Sequence, residues 1–174
     1  FRGAEGIEED PDEALFSKVD ISSEMGGIPL EVPIASGAYG STAVAKNNWD
    51  ALSIGAALSG AILVVGENVC RMDPEAKFSD GSIEYSEDME YRINKFREFW
   101  DGEHGDVSVQ TNVEDERLDV ESYVISDLGV NIIERKWGQG AKAIGGEVRI
   151  PDLDRALTLK NRGYIVLPDP EDPE

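Results

Sequence analysis

Two of the residue types that most often carry chemistry are almost missing. Cys70 is the one cysteine among 174 residues, and His104 is the one histidine. A single thiol excludes an intramolecular disulfide and a complete iron–sulfur cluster held by this segment alone, so any such cluster lies outside it. The same scarcity fits a reducing, cytoplasmic interior. Ser-His-Asp and Cys-His catalysis would both have to use His104. It sits in Asp101-Gly102-Glu103-His104-Gly105-Asp106, a polar loop expected at the surface. Cations are scarce as well: 16 Lys and Arg stand against 36 Asp and Glu, for a net charge of -20. That argues against nucleic acid, whose phosphates require a basic face, and against an anionic membrane surface. No apolar run approaches the ~20 residues of a membrane span. Residues 56–65 come nearest, but Ser59-Gly60 interrupt them, so a core helix running into a core strand is expected. The opening Phe1-Arg2-Gly3-Ala4-Glu5 has no Met, basic stretch or apolar stretch, as expected of an internal segment rather than a natural start.

The remaining composition, 40% apolar and 30% charged, is that of a soluble globular domain. The acids cluster at residues 8–12, 114–116 and 169–174. A solvated acidic surface and adaptation to a salt-rich cytoplasm both account for them. Residues 1–27 read as an acidic lead-in, and residues 28–174 as one domain in which strands and helices alternate. Residues 28–36 enter a strand before the turn Gly37-Ala38-Tyr39-Gly40. Asn47 or Asn48 caps a helix to about Ser59. Residues 61–65 are a continuous apolar run, as in a parallel strand covered on both faces. Ser86 caps a helix over 87–100, whose Met89, Ile93, Phe96 and Trp100 keep helical spacing. Residues 106–111 alternate as a strand, 120–128 form a helix closed at Gly129, and 131–136 form a strand. Asp152 caps a helix over 153–161, closed near Gly163, and 164–167 form a last strand.

Four βα units and a further strand imply a parallel sheet with crossover helices. An open doubly wound sheet and part of a (β/α)8 barrel both have that order. A whole barrel takes about 250 residues, so four units make about half of one. In either architecture ligands bind beyond the C-terminal strand ends. Those ends carry Ser36-Gly37, Glu67-Asn68, Gln110-Thr111 and Lys136 to Lys142. The last loop, Lys136-Trp137-Gly138-Gln139-Gly140-Ala141-Lys142 followed by Gly145-Gly146, combines glycine, two lysines and a glutamine. Glycine admits close backbone approach, lysine offers charge to phosphate or carboxylate, and glutamine both donates and accepts. The loop is therefore read as anion-binding. It is not a P-loop, because Gly146-Glu147 stands where Lys-Ser/Thr is required.

The strand 132–136 ending in Lys136, then Gln139-Gly140-Ala141-Lys142, then Gly145-Gly146, resembles the FMN-binding barrel of the glutamate synthase family. Residues 33–40, Pro-Ile-Ala-Ser-Gly-Ala-Tyr-Gly, resemble the family's flavin-facing first strand. Gly66-Glu67-Asn68 is similar to its Gly-Glu-Gly-Gly, and Gln110 to the glutamine of its third strand end. The likeness covers roughly residues 28–167 and implies an α/β fold of the (β/α)8 TIM-barrel type, this chain spanning about the first half. It implies FMN as cofactor in the reductive amination of 2-oxoglutarate to glutamate. Lys136, Gln139 and Lys142 would hold 2-oxoglutarate and the flavin edge. Ser36, Gly37 and Ala38 would line the flavin, and Gln110 would bond its ring. Glu67 and Lys142 would be the catalytic pair. No metal ligands are implied. Ammonia, free or derived from glutamine, and electrons would come from amidotransferase and electron-donor domains or subunits of an oligomer. A relative of the same family makes N-methylglutamate from methylamine. Departures from the pattern are Asn68-Val69 for two glycines, Ala143-Ile144 for Pro-Gly, and the acidic Asn112-Val113-Glu114-Asp115-Glu116 for Ser-Gly-Arg-Phe-Gly. An acidic loop facing the site would repel a dianionic substrate, which also leaves open a non-catalytic assembly or regulatory half-barrel.

Overall fold

The computed structural model describes residues 19–138 and 150–172. Three parallel strands form its centre: β3 (Ile62–Val65), β6 (Asp106–Thr111) and β7 (Ile132–Arg135), in the order β3-β6-β7. The numbering leaves β1 (Ser23–Met25) and β2 (Ile28–Leu30) for an antiparallel hairpin before the sheet, and β4 (Lys77–Ser79) and β5 (Ser82–Tyr85) for a second hairpin after β3. Residues 34–39 lie along the other edge of β3, with Ala35 and Tyr39 bridged in parallel to Ile62 and Val65. Three residue steps from Ser36 to Tyr39 match two on β3, which makes a bulge. The Ser36 hydroxyl spans it by accepting the Val64 N–H at 2.9 Å.

Parallel strands need crossover elements, and helices supply them. α1 (Ala43–Leu58) precedes β3, α3 (Glu87–Arg97) precedes β6, and α5 (Val120–Ser126) precedes β7. Side chains alternate across a strand. Leu63, Val65, Val107 and Val109 accordingly enter the main core with Trp49 of α1, Ile93 and Phe96 of α3, and Val124 of α5. Ile62 and Val64 face the other side and pack with Leu30 of the first hairpin. The fold is thus mixed α/β around a small parallel sheet, and no barrel closes among the described residues.

Local rules explain most boundaries. Ser86 accepts the Met89 N–H at 3.2 Å and caps α3. Asp152 accepts the Arg155 N–H at 2.8 Å and caps α6 (Leu153–Asn161). Three expectations are corrected. The cap of α1 is Thr42, whose hydroxyl accepts the Ala45 N–H at 3.2 Å, so the helix starts before Asn47 and Asn48. Asn48 instead donates to the Val44 carbonyl within the helix. Residues 28–36 do not form one strand: β2 pairs with β1, and the chain rejoins the sheet only near Ala35. Residues 164–167 form no strand. Ile165 and Leu167 are 92% and 85% exposed, with no neighbouring strand among the described residues to complete a ladder. The hairpin β1–β2 also joins residues on both sides of the boundary expected at 27/28. Among the described residues no helix is long and apolar enough to cross a membrane.

Cys70 lies in α2 (Val69–Met72) at 0% exposure, and burial pushes its thiol pKa far above the ordinary range. Since the thiolate is the reactive form, the folded protein is expected to resist a thiol reagent such as Ellman's. Labelling in urea should follow unfolding, whereas rapid labelling without denaturant would contradict the burial.

Candidate functional site at the strand ends

The C-terminal ends of residues 34–39, β3, β6 and β7 bring Glu67 and Lys136, two of the residues expected at the site, together. Gly66 follows β3 and lies against Gly40. A Cβ on Gly66 would come within 2.5 Å of the Gly40 nitrogen, and one on Gly40 within 2.9 Å of the Glu67 carbonyl oxygen. Only glycine permits this backbone contact, and it seats Glu67 beside the sheet. Lys136, just past β7, donates to Glu67 Oε1 at 2.8 Å. Asn112, just past β6, donates through Nδ2 to Glu67 Oε2 at 3.0 Å. The direction of the Asn112 amide is fixed, because its Oδ1 accepts the N–H groups of Glu114 and Asp115, both at 2.9 Å.

Those two bonds cap α4 (Val113–Arg117), a short acidic helix where a loop was expected. Asp115 closes a capping box: its Oδ2 accepts the Asn112 N–H at 3.2 Å and also the Asn68 N–H at 3.0 Å. One carboxylate thereby ties the β3 loop to the β6 loop. It is 2% exposed, burial raises its pKa above the ordinary carboxylate value, and its Oδ1 has no hydrogen-bond partner among the described residues. The other acids of α4 divide their roles. Glu114 pairs with Arg71 at 3.2 Å and Arg117 at 2.7 Å, while Glu116 lines the depression beside the pair.

Of the residues assigned from the resemblance, Glu67 and Lys136 meet directly. Gln110 is on the same sheet face, half-buried, and donates to Glu134 of β7. Ser36 is committed to the bulge, while Gly37 and Ala38 are exposed and a Cβ on Gly37 would meet nothing within 4 Å. Gln139 and Lys142 lie outside the described residues. Asn112 and Asp115 were not singled out from sequence, although Asn-x-x-Asp at a strand end is a capping-box signal.

An FMN ring needs a flat face, a cation and ring donors. Gly37 and Ala38 offer exposed backbone to such a site, whereas the Lys136 cation is already paired with Glu67 and the Gln110 donor is engaged by Glu134. They do not enclose one. The depression lined by Asn112, Glu116, Arg135, Lys136 and Trp137 has room for about one water molecule, far short of the ~300–1,000 Å³ typical of ligand pockets.

Acidic and imidazole groups also meet at the opposite end of the sheet. The ligating atoms of Glu31, Asp101 and His104 lie within 4.8 Å of one another. His104 Nδ1 is 2.9 Å from Asp101 Oδ2, and Asp101 Oδ1 accepts the N–H groups of Glu103 and His104. The bond to Asp101 raises the His104 pKa above 6.5, and the His104 contacts hold Asp101 down at about 2. A raised folded-state pKa stabilises below the unfolded value and is lost as pH rises through the folded value. The Asp101 contribution is present above 3.8 and lost as pH falls toward 2. Both act together between about pH 4 and 6.5. Proton NMR of the single imidazole should give a midpoint above 6.5, and Asp101→Asn should lower it; a native midpoint at or below 6.5 would contradict the pairing.

No family model matches the chain, and neither the curated proteins nor the solved structures include a match to it.

Proposed function

We propose that the chain is part of an FMN-dependent glutamate synthase-type barrel that forms glutamate by reductive amination of 2-oxoglutarate. The 2.8 Å contact between Lys136 and Glu67 carries this reading. Both residues were picked on the resemblance, and they meet at the functional end of a parallel sheet. The winding supports the same reading. Residues 34–39, β3, β6 and β7 are adjacent in chain order, whereas a doubly wound sheet reverses its order at a switch point.

Lys136 offers a substrate carboxylate its charge. Glu67 is the proton-transfer candidate, placed by Asn112 and Lys136. Gln139 and Lys142 keep the substrate roles given by resemblance. FMN, when bound, supplies the reducing equivalents. Ammonia and electrons arrive from partner domains or subunits. Lys136→Ala is expected to lower turnover of 2-oxoglutarate and ammonium by about two decades, as when one preorganised charge donor is lost. An unchanged rate and affinity would remove Lys136 from the site. Methylamine in place of ammonium separates the N-methylglutamate-forming relative.

A second reading, a non-catalytic assembly or regulatory half-barrel, draws on α4. Its Glu116 borders the depression at the position where the family pattern carries a glycine. A colourless protein without turnover favours that reading.

A further inference from the structure

We propose that the Glu67–Lys136 pair is a latch: an incoming carboxylate takes the place of Glu67 on Lys136, and Asn112 keeps the displaced Glu67. The proposal rests on the reading of Lys136 as a carboxylate-binding lysine and adds how that site is held closed.

The geometry has the three parts a latch needs. The cation is occupied: Lys136 Nζ lies 2.8 Å from Glu67 Oε1, and both side chains are about a quarter exposed or less, at 25% and 21%. Water and a small anion can therefore reach a pair that is not sealed in the core. The displaced carboxylate has a second holder, since Glu67 Oε2 already accepts from Asn112 at 3.0 Å. That holder cannot turn away. Its amide oxygen is locked by the N–H groups of Glu114 and Asp115, which point its Nδ2 at Glu67. The Asp115 carboxylate in turn fixes the backbone of Asn112 and of Asn68, next to Glu67.

Exchange is near balance because one carboxylate replaces another on the same ammonium, and an ion pair open to water is held by a modest free energy. The latch would hold Lys136 neutralised without ligand and would reject weak monoanions. It also gives a use to the departure from the family pattern at residues 112–116: Asn112 holds Glu67, and the segment's own capping bonds hold Asn112.

The test is calorimetric titration of the full chain with 2-oxoglutarate and, separately, with glutarate, which has the carboxylates without the ketone. Glu67→Gln can satisfy only one of its two donors, so Lys136 loses its resident charge. Both acids should then bind about five- to tenfold tighter. Asn112→Ser keeps a capping oxygen for α4 but has no amide for Glu67, and should weaken both acids by about threefold. Lys136→Gln should abolish binding in either background. Unchanged, weaker or undetectable binding by a folded Glu67→Gln protein overturns the latch. If that variant does not fold, unchanged affinity in Asn112→Ser overturns it, and weakened affinity supports it. Tightened binding by a chain that takes up no FMN leaves the latch standing without the flavin reading. FMN uptake with unmoved affinities does the reverse.

Discussion

Replacing Arg92 with alanine is expected to lower the unfolding free energy by about 3–5 kcal/mol, the usual cost of breaking a buried ion pair from one side. Arg92 is 1% exposed although it lies on a helix otherwise buried through apolar residues. Its Nε is 3.0 Å from Asp88, its Nη1 donates to the carbonyls of Tyr39 and Gly40 at 3.0 Å each, and its guanidinium stands 4.9 Å from the Trp49 ring. Trp49 Nε1 closes the circuit by donating to the Arg92 carbonyl at 3.1 Å. Alanine leaves a cavity, removes the nearer cation of Asp88, whose other, Lys46, stands 3.9 Å away, and deprives the Gly40 carbonyl of its donor. Arg92→Lys keeps the charge but not the fork of donors, and should fall between. Urea denaturation measures the difference. A loss below about 1 kcal/mol would mean that Arg92 behaves as an exposed pair does, and the anchoring of residues 39–40 to α3 would have to be given up.

Gly66→Ala should be about as damaging, by at least the ~1–3 kcal/mol of an overpacked core. The new Cβ would lie 2.5 Å, 2.7 Å and 2.8 Å from the Gly40 nitrogen, the Gly40 Cα and the Tyr39 carbonyl carbon. All three are backbone atoms, so no side chain can swing aside. The ladder bond from Gly66 N–H to the Tyr39 carbonyl, 2.8 Å long, should be lost with the contact. Gly37→Ala is the control, since its Cβ would meet nothing within 4 Å, and its stability should stay within about 0.5 kcal/mol of the native protein. If the two variants denature alike, the close approach of the strand ends does not hold in solution. If Gly66→Ala is the weaker, it should also lose the Glu67–Lys136 pair, because Glu67 is seated by that approach.

Much of this fold could be read from local chemistry. The alternation of residues 106–111 marks β6 to its ends, and the caps Ser86 and Asp152 start α3 and α6 where expected. Those signals lie within a few residues of each other. The hairpins were missed because their strands are only three or four residues long, too short to show a period, although Asp80-Gly81 between β4 and β5 is a hairpin-turn pair. Arg92 carries no local signal of burial, since charged side chains are mostly exposed, yet it falls on the buried spacing of Met89, Ile93 and Phe96. The pairing of Glu67 with Lys136 spans 69 positions. Strand-end logic put both at one end of the sheet, but which strands lie side by side is a tertiary fact that no local signal contains. The role of Asn112 escaped for a related reason: the acidic run after it was read by its charge, while its capping geometry set the structure.

The flavin reading is tested most directly by the absorption spectrum of the full chain, purified with its natural partners and then mixed with FMN and desalted. A flavin band near 450 nm that stays with the protein, and is lost in Lys136→Ala, is the expected result. A colourless protein that retains no FMN would contradict the FMN-dependent assignment, leaving the Glu67–Lys136 centre to be judged by its carboxylate binding alone.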